Sequence, residues 1–436
     1  MSSHAQPLLV APLRVDFDLR DGLLLRGLEV DSQMAGSTIP LDVSSGDLLD
    51  DWWCAYLRGV RPGPVVTSEQ AVRTAELFCG PGGLAQGTKQ ACRELGHSFL
   101  SRFAIDNDAN AVDVYELNHG TEYAASGTVT MLLDYKVRGR RDGARMAYEP
   151  EVVDERLHGM VGEIDLLLAG PPCQGHSNLN NKTRRDDDRN ELYLTVPALA
   201  IAAQIPMVVI ENVTAVVHDH SGVVQTAKTL FENAGYHLTE GVLKADKLGW
   251  PQTRGRYFLI ARHHDLGPPI PLSDVASALA AEPRSVLWAI EDLADVEPDH
   301  EMHRQPEMNE DNVRRIDWLF DNDEYDLALD QRPDCHKDGT TYLAVYGRMR
   351  PDRPAPTLTT GFLTPGRGRF VHPTRRRVLT PHEAARIQGF PDTYRWRIPG
   401  QPPPTSSLLA KWIGDAVPMP LGHAATLSVL GPGFPT

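Results

Sequence analysis

The feature that most constrains the fold is a series of short apolar segments alternating with helix-like segments between Arg73 and about residue 265. TAELF, FLSRFAID, IDLLLAG and MVVIENV are typical of strands, whereas LAQGTKQACRELG and VPALAIAAQIP are typical of helices. Strands that alternate with helices form parallel sheets, because each helix returns the chain to the edge where the next strand begins. The sequence therefore predicts an α/β fold with a Rossmann-like sheet and helices on both faces.

Three short motifs, CGPGG, GPPC and ENV, each follow a predicted strand. The carboxyl ends of parallel strands meet at one edge of a sheet, and ligands of such sheets bind at that edge. We therefore expect the three motifs to form one site, although they are far apart in the chain.

The segment ELFCGPGG (residues 76–83) is a glycine-rich turn between a strand and a helix, which lets a ligand approach the backbone closely. It is neither the GxGxxG dinucleotide motif nor a P-loop. Asp106 ends the next strand, where an acidic side chain can bind both hydroxyls of a ribose. Together these features predict an adenosine-type cofactor; a tight turn beside a solvated aspartate is the alternative.

Cys173 and Glu211 end two neighbouring predicted strands, so we expect them to lie close together. A cysteine attacks as its thiolate, and a nearby carboxyl suits an acid that hydrogen-bonds to or protonates a heterocycle. In QTRGR, alternate residues of a strand would face one way, so Gln252, Arg254 and Arg256 are expected to point together towards a phosphate or carbonyl oxygen.

Composition limits the remaining possibilities. The net charge of −15 argues against nonspecific coating of nucleic acid, although residues 348–377 form a locally basic stretch. The five cysteines lack zinc-ligand spacing and are expected to be reduced, so we expect no metal. No stretch approaches the roughly 20 apolar residues of a membrane helix. The start of the chain lacks signal-peptide features, so we expect a cytoplasmic, nucleoid-associated protein without a membrane partner.

Six segments occur in the order ELFCGPGG, GPPCQGHS, ENV, QTRGR, RRVLTPHEAARIQGFP and IGDAVPMPL. This order resembles that of the DNA (cytosine-5) methyltransferases, over about residues 73–265 and 345–425. The resemblance implies an S-adenosylmethionine-dependent catalytic domain at 73–265, and a smaller target-recognition region at 266–372. It also implies a segment at 373–436 that returns to the catalytic domain. Residues 1–72 lie outside the resemblance; the β-like runs LRVDFDL and LLLRGLEV lead us to expect a small subdomain or an arm there. In LTPHEAARIQGF, Thr380 is a candidate N-cap with Pro381 at the first helical position.

The resemblance also implies a mechanism for a cytosine flipped out of double-stranded DNA. Cys173 adds to C6, Glu211 contacts N3 and the exocyclic amine, and Arg256 holds O2, while Arg254 and Gln252 support the loop. The methyl group is transferred to C5, a base removes the C5 proton, and Cys173 leaves by elimination. In the same way, the resemblance assigns S-adenosyl-L-methionine to Phe78, Gly80, Gly82, Gly83, Leu84, Asp106, Asn107, Thr128, Pro172, Asp415 and Ala416.

Contacts with DNA are expected from the segment after Cys173 and from the edge of the recognition region. The candidate residues are Ser177, Lys182, Arg184, Arg185, Thr357 and Thr359. The basic stretch 348–377 is expected to face the DNA backbone, and a cognate restriction endonuclease is an expected partner. Residues 291–330 are far more acidic than basic, which is unusual for a surface that reads DNA.

Two positions depart from the family pattern. Asp415 stands where the family has asparagine, and Thr128 aligns with an acidic position. A carboxylate at 415 would repel the carboxylate of the cofactor, so a modified cofactor such as decarboxylated S-adenosylmethionine is an alternative donor. Modification of RNA cytosine and a catalytically silent DNA-binding homologue are further alternatives.

Overall fold

The computed structural model describes residues 13–30, 33–41, 43–64, 70–172, 192–219, 221–334, 344–431 and 433. The N-terminal part contains β1 (Arg14–Arg20), β2 (Leu23–Val30), β3 (Gln33–Pro40), α1 (Leu48–Leu57) and β4 (Gly63–Pro64). The middle part contains β5 (Ala71–Leu77), α2 (Gly83–Glu94), β6 (Ser98–Asp106), α3 (Ala109–His119), β7 (Tyr123–Ser126), β8 (Leu133–Asp134), β9 (Val137–Arg138), β10 (Arg145–Met146), β11 (Glu151–Val152), α4 (Glu155–His158), β12 (Leu166–Ala169), α5 (Thr195–Ala202), β13 (Met207–Asn212), α6 (Val223–Asn233), β14 (Tyr236–Lys244) and β15 (Gly255–His263). The C-terminal part contains α7 (Leu272–Ala278), α8 (Val286–Ile290), α9 (Glu310–Asp321), α10 (Pro381–Gln388), α11 (Ser406–Asp415) and α12 (Met419–Leu430).

A seven-stranded sheet forms the centre, with the strand order β14-β15-β13-β12-β5-β6-β7. Strands β13, β12, β5, β6 and β7 are parallel, whereas β15 runs antiparallel to both β13 and β14. Every residue of β12 is fully buried, as expected for a central strand covered on both faces. The predicted α/β fold is therefore confirmed.

The two faces of the sheet belong to different hydrophobic clusters. In β12, Leu166 and Leu168 pack with the cluster that contains α2 and α12, while Leu167 and Ala169 pack with the cluster that contains α5 and α6. Successive side chains of a strand point to opposite faces, so one short apolar run supplies both cores. The apolar, non-alternating sequence of this strand follows from that double burial.

The N-terminal sheet, in the order β1-β2-β3-β4, is packed into the main body. Trp53 of α1 contacts Trp250 edge to face at 5.6 Å between ring centroids. The buried guanidinium of Arg26 pairs with the buried carboxylate of Glu94 on α2, and Glu94 also contacts Nε2 of His423 at 2.7 Å. These contacts favour a subdomain over an arm.

The first residues of the predicted recognition region, from about 266 to 290, pack on the core of the central sheet. Ile270 exchanges two hydrogen bonds with Ser428 of α12, and Leu272 and Val275 of α7 belong to the main core. A separate small cluster begins only with α9 and includes Ile316, Leu319, Leu327 and Val371. Residues 349–370, in contrast, contribute Met349, Ala355, Leu358, Phe362 and Phe370 to the main core, so the small cluster accounts for only part of the predicted region.

The predicted helix start at Thr380 is confirmed. The Thr380 hydroxyl accepts from the backbone N–H of Glu383, whose carboxylate accepts from the N–H of Thr380. Pro381 occupies the first helical position, where a missing N–H costs nothing.

Candidate active site

The glycine-rich turn adopts a backbone that few residues tolerate. Phe78, Gly80 and Gly82 have φ values of 57°, 51° and 94°, all in the left-handed region. A Cβ on Gly82 would lie 2.4 Å from Nε2 of His119. Glycine is therefore required there both by the positive φ and by the lack of space for a side chain. Gly82 is the N-cap of α2, and the turn therefore presents its backbone at the carboxyl end of β5.

Asp106 lies at the end of β6 beside this turn. One carboxylate oxygen accepts from the N–H of Gly80 and the other from the N–H of Asp108, each at 2.9 Å. A carboxylate has about four lone pairs, so both oxygens can still accept from hydroxyl groups. A Cβ on Gly80 would meet no described atom within 4 Å, so space is open above the turn. The turn and the carboxylate therefore fit a ribose-bearing cofactor.

The segment around Asp415 packs directly on the turn. A Cβ on Gly83 would lie 2.6 Å from the carbonyl oxygen of Val417 and 3.1 Å from Cβ of Ala416. Asn107 and Thr128 are exposed near the end of β6, where the N–H of Gly127 donates to the carbonyl of Asp106. The side chain of Leu84, in contrast, is buried against Gly422 of α12, so only its backbone remains for the assigned cofactor contact.

Gln252 and Arg254 correct the expectation that QTRGR would point together from one strand face. Strand β15 begins only at Gly255, so the two residues precede the strand and their buried side chains turn into the protein. Arg254 Nη1 donates to the carbonyls of Leu358 and Gly414, at 2.6 and 2.9 Å. Gln252 Nε2 donates to the carbonyl of Ile387 at 3.1 Å. Both residues position other segments rather than reaching the reacting atoms.

Gln388 continues this network and was not singled out from the sequence. It accepts from Gln252 at 3.0 Å, and its own Nε2 donates to the carbonyls of Ile413 and Ala416, at 2.5 and 3.2 Å. Its position within RIQGFP was visible, but nothing in that motif indicates that a side chain reaches the 413–416 segment. The side chains of Gln252, Gln388 and Arg254 thus form one network that holds the 413–416 segment against the glycine-rich turn.

Asp415 is the last residue of α11, and its side chain is 60% exposed. Lys411, one turn earlier, lies 3.9 Å from Asp415 Oδ2 and donates to Asp108 Oδ2 at 2.9 Å. The positive charge of Lys411 is therefore shared by two carboxylates next to the turn. Sequence reasoning missed Lys411, although its i,i+4 spacing to Asp415 was a usable signal.

Glu211 and Arg256 face each other on β13 and β15. Arg256 Nε donates to Glu211 Oε1 at 2.9 Å, and the two side chains are only 15% and 10% exposed. Burial raises the pKa of Glu211, and the guanidinium groups of Arg256 and Arg254 oppose this rise. Glu211 Oε2 lies 3.7 Å from the position that a Cβ would take on Gly170. The second carboxyl oxygen therefore faces the backbone that leads from β12 through Pro172 towards Cys173.

Asn212 fixes this strand end. Its Nδ2 donates to the carbonyl of Pro171 at 3.2 Å, and its Oδ1 accepts from the N–H of Val213 at 2.8 Å. The ENV motif was recognised in the sequence, but a role for its asparagine was not. The amide ties the end of β13 to the GPP turn at the end of β12.

Cys173 itself lies outside the described residues, as do Ser177, Lys182, Arg184 and Arg185. The described cysteines are Cys54, Cys79 and Cys92. Burial raises the pKa of each of these thiols, well above its usual value for Cys79 and to about 12 for Cys92. None of the three would be a thiolate at neutral pH, so these thiols are poor nucleophiles.

Four arginines of the basic stretch 348–377 pair with acidic residues of the 291–330 segment: Arg348 with Asp323, Arg369 with Asp326, Arg375 with Asp295, and Arg376 with Asp317 and Asp321. These pairs account for part of the acidic excess of that segment. Contact of the basic stretch with the DNA backbone stays a prediction.

Thr357 and Thr359 lie beside the catalytic domain. A Cβ on Gly414 would lie 2.5 Å from the carbonyl carbon of Thr359 and 2.4 Å from the N of Thr360. The PAPTLTTGF segment therefore packs on the 413–416 segment, and Arg254 donates hydrogen bonds to both.

No helix in the described part of the chain is both long and apolar enough to span a membrane.

The structure thus brings the glycine-rich turn with Asp106 and the buried Glu211–Arg256 pair to one edge of an α/β sheet, where ligands of such sheets bind.

Comparison with known proteins identifies the family. Residues 72–430 match the family of C-5 cytosine-specific DNA methylases. The type II methyltransferase M1.BsuMI of Bacillus subtilis (strain 168) is 39% identical over 351 residues, which cover 80% of this chain and 79% of that protein. The type II methylase M.HgiDII of Herpetosiphon aurantiacus is 28% identical over 368 residues, covering 81% and 94%. The chain therefore belongs to the C-5 cytosine-specific DNA methylases, and it is a DNA (cytosine-5-)-methyltransferase.

Solved structures agree with the fold. The crystal structure of Schizosaccharomyces pombe Dnmt2 methyltransferase aligns with a TM-score of 0.52 and 17% identity, covering 82% of this chain and 98% of that one.

Proposed function

We propose that Cys173, Glu211 and Arg256 carry out methylation of cytosine C5 in double-stranded DNA. The observation that carries the proposal is the position of Glu211. One of its oxygens is held by Arg256, while the other faces the Gly170–Pro172 backbone that leads to Cys173. A cytosine held by this second oxygen would stand next to the thiol.

The chemistry begins with the Cys173 thiolate, which adds to C6 of the flipped cytosine and makes C5 electron-rich. S-adenosylmethionine supplies the methyl group when it is bound. A base then removes the C5 proton, and elimination restores the double bond and frees the thiolate. Flipping the base out of the stack costs a few kcal/mol, which contacts with the protein must offset.

Glu211 acts on the opposite side of the ring. Its raised pKa favours the protonated carboxyl, which donates to N3 while the amine of cytosine donates to the other lone pairs. Negative charge that develops on the ring after thiolate addition is thereby stabilised. Arg256, held 2.9 Å from Glu211, is the candidate donor to O2.

The cofactor cradle supports ordinary S-adenosyl-L-methionine. Backbone groups at Gly80 and Gly82 would approach the cofactor, and Asp106 would accept from its ribose. Lys411, whose charge Asp415 shares with Asp108, partly offsets the carboxylate that distinguishes this chain from the family pattern. This partial compensation favours the ordinary donor over a decarboxylated one.

The relatives named as type II methyltransferases support a place in a restriction–modification system, with a cognate endonuclease as partner. They support DNA over RNA as substrate. In that role the protein would act at the nucleoid in the cytoplasm.

The test is trapping of the covalent intermediate on DNA that contains 5-fluorocytosine. Fluorine replaces the proton that must leave C5, so the adduct with Cys173 persists. The protein should form a denaturation-resistant complex in the presence of S-adenosylmethionine, and Cys173→Ala should not. Cys54→Ala is the matched control and should retain the complex, because that half-buried thiol lies in α1. A complex that survives Cys173→Ala would contradict the assigned nucleophile.

A further inference from the structure

A small pocket lies between the N-terminal subdomain and the catalytic domain. It is bounded by the segment after α1, by α2, by the end of α3, and by residues 391–394. Three cationic side chains line it, Arg61, Lys89 and Arg93, together with Tyr56 and Tyr394. Lys89 and Arg93 are separated by one helical turn and therefore share a face of α2.

No carboxylate lines this pocket among the residues that the structure describes. The acidic residues that adjoin lining residues in the sequence are engaged elsewhere: Glu94 with Arg26 and His423, and Asp392 with His382 and Arg386. The Lys89 ammonium donates only to a neutral acceptor, the carbonyl of Asn118, at 3.0 Å. Three positive charges thus converge without a described counterion.

Convergence of like charges in a partly buried place is unfavourable unless an anion compensates it. Burial, with further effects from Arg93, Arg61 and Arg395, lowers the pKa of Lys89 to about 8. Burial and Arg61 also lower the pKa of Arg93. Natural chains rarely retain such a group of cations where a neutral residue would fit, so the arrangement indicates a ligand of opposite charge.

The size of the pocket limits that ligand. About 50 Å³ is open to the centre of a water molecule, where a single buried water needs about 10–15 Å³ by the same measure. This space suits several waters or one tetrahedral oxyanion. Lys89 and Arg93 lie about 9–15 Å along α2 from its start at Gly83, at 1.5 Å per residue, whereas Tyr394 on the pocket wall donates to the carbonyl of Pro81 in the glycine-rich turn.

We propose that this pocket binds the phosphate group of a small molecule, with Lys89, Arg93 and Arg61 as the anion-binding residues. The guanidinium groups supply paired donors and the ammonium supplies a point charge. The proposal is independent of the methylation site, because none of these residues contacts Glu211, Arg256 or the glycine-rich turn's assigned cofactor residues in the described structure.

The test is calorimetric titration of the whole protein with inorganic phosphate, in a buffer of low ionic strength without other oxyanions. We expect saturable binding of one phosphate per chain, weakened at least about tenfold by Lys89→Met. Lys247→Met removes an exposed lysine elsewhere and should leave binding unchanged. Arg61→Ala, at an exposed position, provides a second variant with little risk to folding and should also weaken binding.

Two further arms identify the source of the phosphate. Adenosine monophosphate should compete with inorganic phosphate if the pocket accepts phosphomonoesters, whereas no competition assigns it to the free ion; both results support the site. Absence of phosphate binding, or equal binding by the wild type and Lys89→Met, would overturn the proposal. It would also be overturned if only duplex DNA, and not phosphate, bound more weakly to Lys89→Met, because the cations would then contact the DNA backbone.

Discussion

Replacing Arg256 with methionine tests the buried pair at the centre of the site. Glu211 would keep its place on β13 but would lose the donor 2.9 Å from Oε1, in surroundings where only 10% of its side chain is exposed. Breaking a buried pair by removing one partner costs about 3–5 kcal/mol, because the remaining charge is uncompensated. We expect Arg256→Met to lower the free energy of unfolding by that amount at about pH 8.

The loss should depend on pH in one direction. The folded-state pKa of Glu211 is already raised by burial, so stability associated with its protonated form is lost as pH rises through that pKa. Removing Arg256, which opposes the rise, moves the pKa further up. The variant should therefore be penalised most at about pH 8 and clearly less at about pH 5.5, where Glu211 protonates instead.

The assay is urea unfolding of the wild type, Arg256→Met, Glu211→Gln and the double variant. The double variant should recover part of the loss, with a coupling free energy of about 2 kcal/mol at about pH 8. Arg314→Met is the matched control, since its pair with Asp311 is largely exposed and should be worth about 0.5 kcal/mol or less. If the effects of Arg256→Met and Glu211→Gln on the free energy of unfolding are additive, the two side chains do not interact and the reasoning is refuted.

Three further predictions concern other parts of the account. Burial raises the pKa of Glu76 on β5 to about 8, so the free energy of unfolding should fall as pH rises towards 8, by up to about 1.4 kcal/mol per pH unit. Glu76→Gln should flatten that pH profile in urea unfolding, and an unchanged profile would contradict a buried, protonated Glu76. Gln388→Leu removes the donor to the carbonyls of Ile413 and Ala416, so the dissociation constant for S-adenosylmethionine, measured by calorimetry, should rise about tenfold. Unchanged affinity in a folded variant would contradict the role of Gln388 in positioning the 413–416 segment. Asp317→Asn with Asp321→Asn frees Arg376, so DNA should bind more tightly, with a salt dependence steeper by about 0.9 in log–log slope. Glu310→Gln, which removes an exposed carboxylate at the start of the same helix, is the control and should bind DNA like the wild type; a double variant that also matches the wild type would exclude masking by the acidic segment.

Local patterns predicted most of the framework. The strands from Ala71 to Asn212 and the cap at Thr380 are read from neighbouring residues, because strand burial and helix capping depend on positions close in sequence. The meeting of the glycine-rich turn with Asp106 followed from parallel topology, in which strand ends share an edge.

Other features required the folded chain. Gln252 and Arg254 were expected on a strand face, but β15 begins after them, and their directions depend on carbonyls more than 100 residues away. The pairing of Arg376 with α9 likewise joins segments that are 55–59 residues apart. No local pattern specifies which distant acid neutralises a given arginine.

The N-terminal residues show the same limit. Their strands were visible as β-like runs, but their attachment to the catalytic domain depends on Arg26, which meets Glu94 across 68 residues. From sequence alone, a charged residue inside a strand is predicted to be exposed, because its buried partner cannot be identified. The strands of the N-terminal subdomain could therefore be predicted from the sequence, but their packing against the main core could not.

The most direct test of the central claim is nucleoside mass spectrometry of DNA from cells that express the protein, beside cells that express Cys173→Ala. The account predicts 5-methylcytosine in the first DNA and none above background in the second. Unmodified DNA from cells with folded wild-type protein, or a cytosine adduct heavier than methyl, would contradict it.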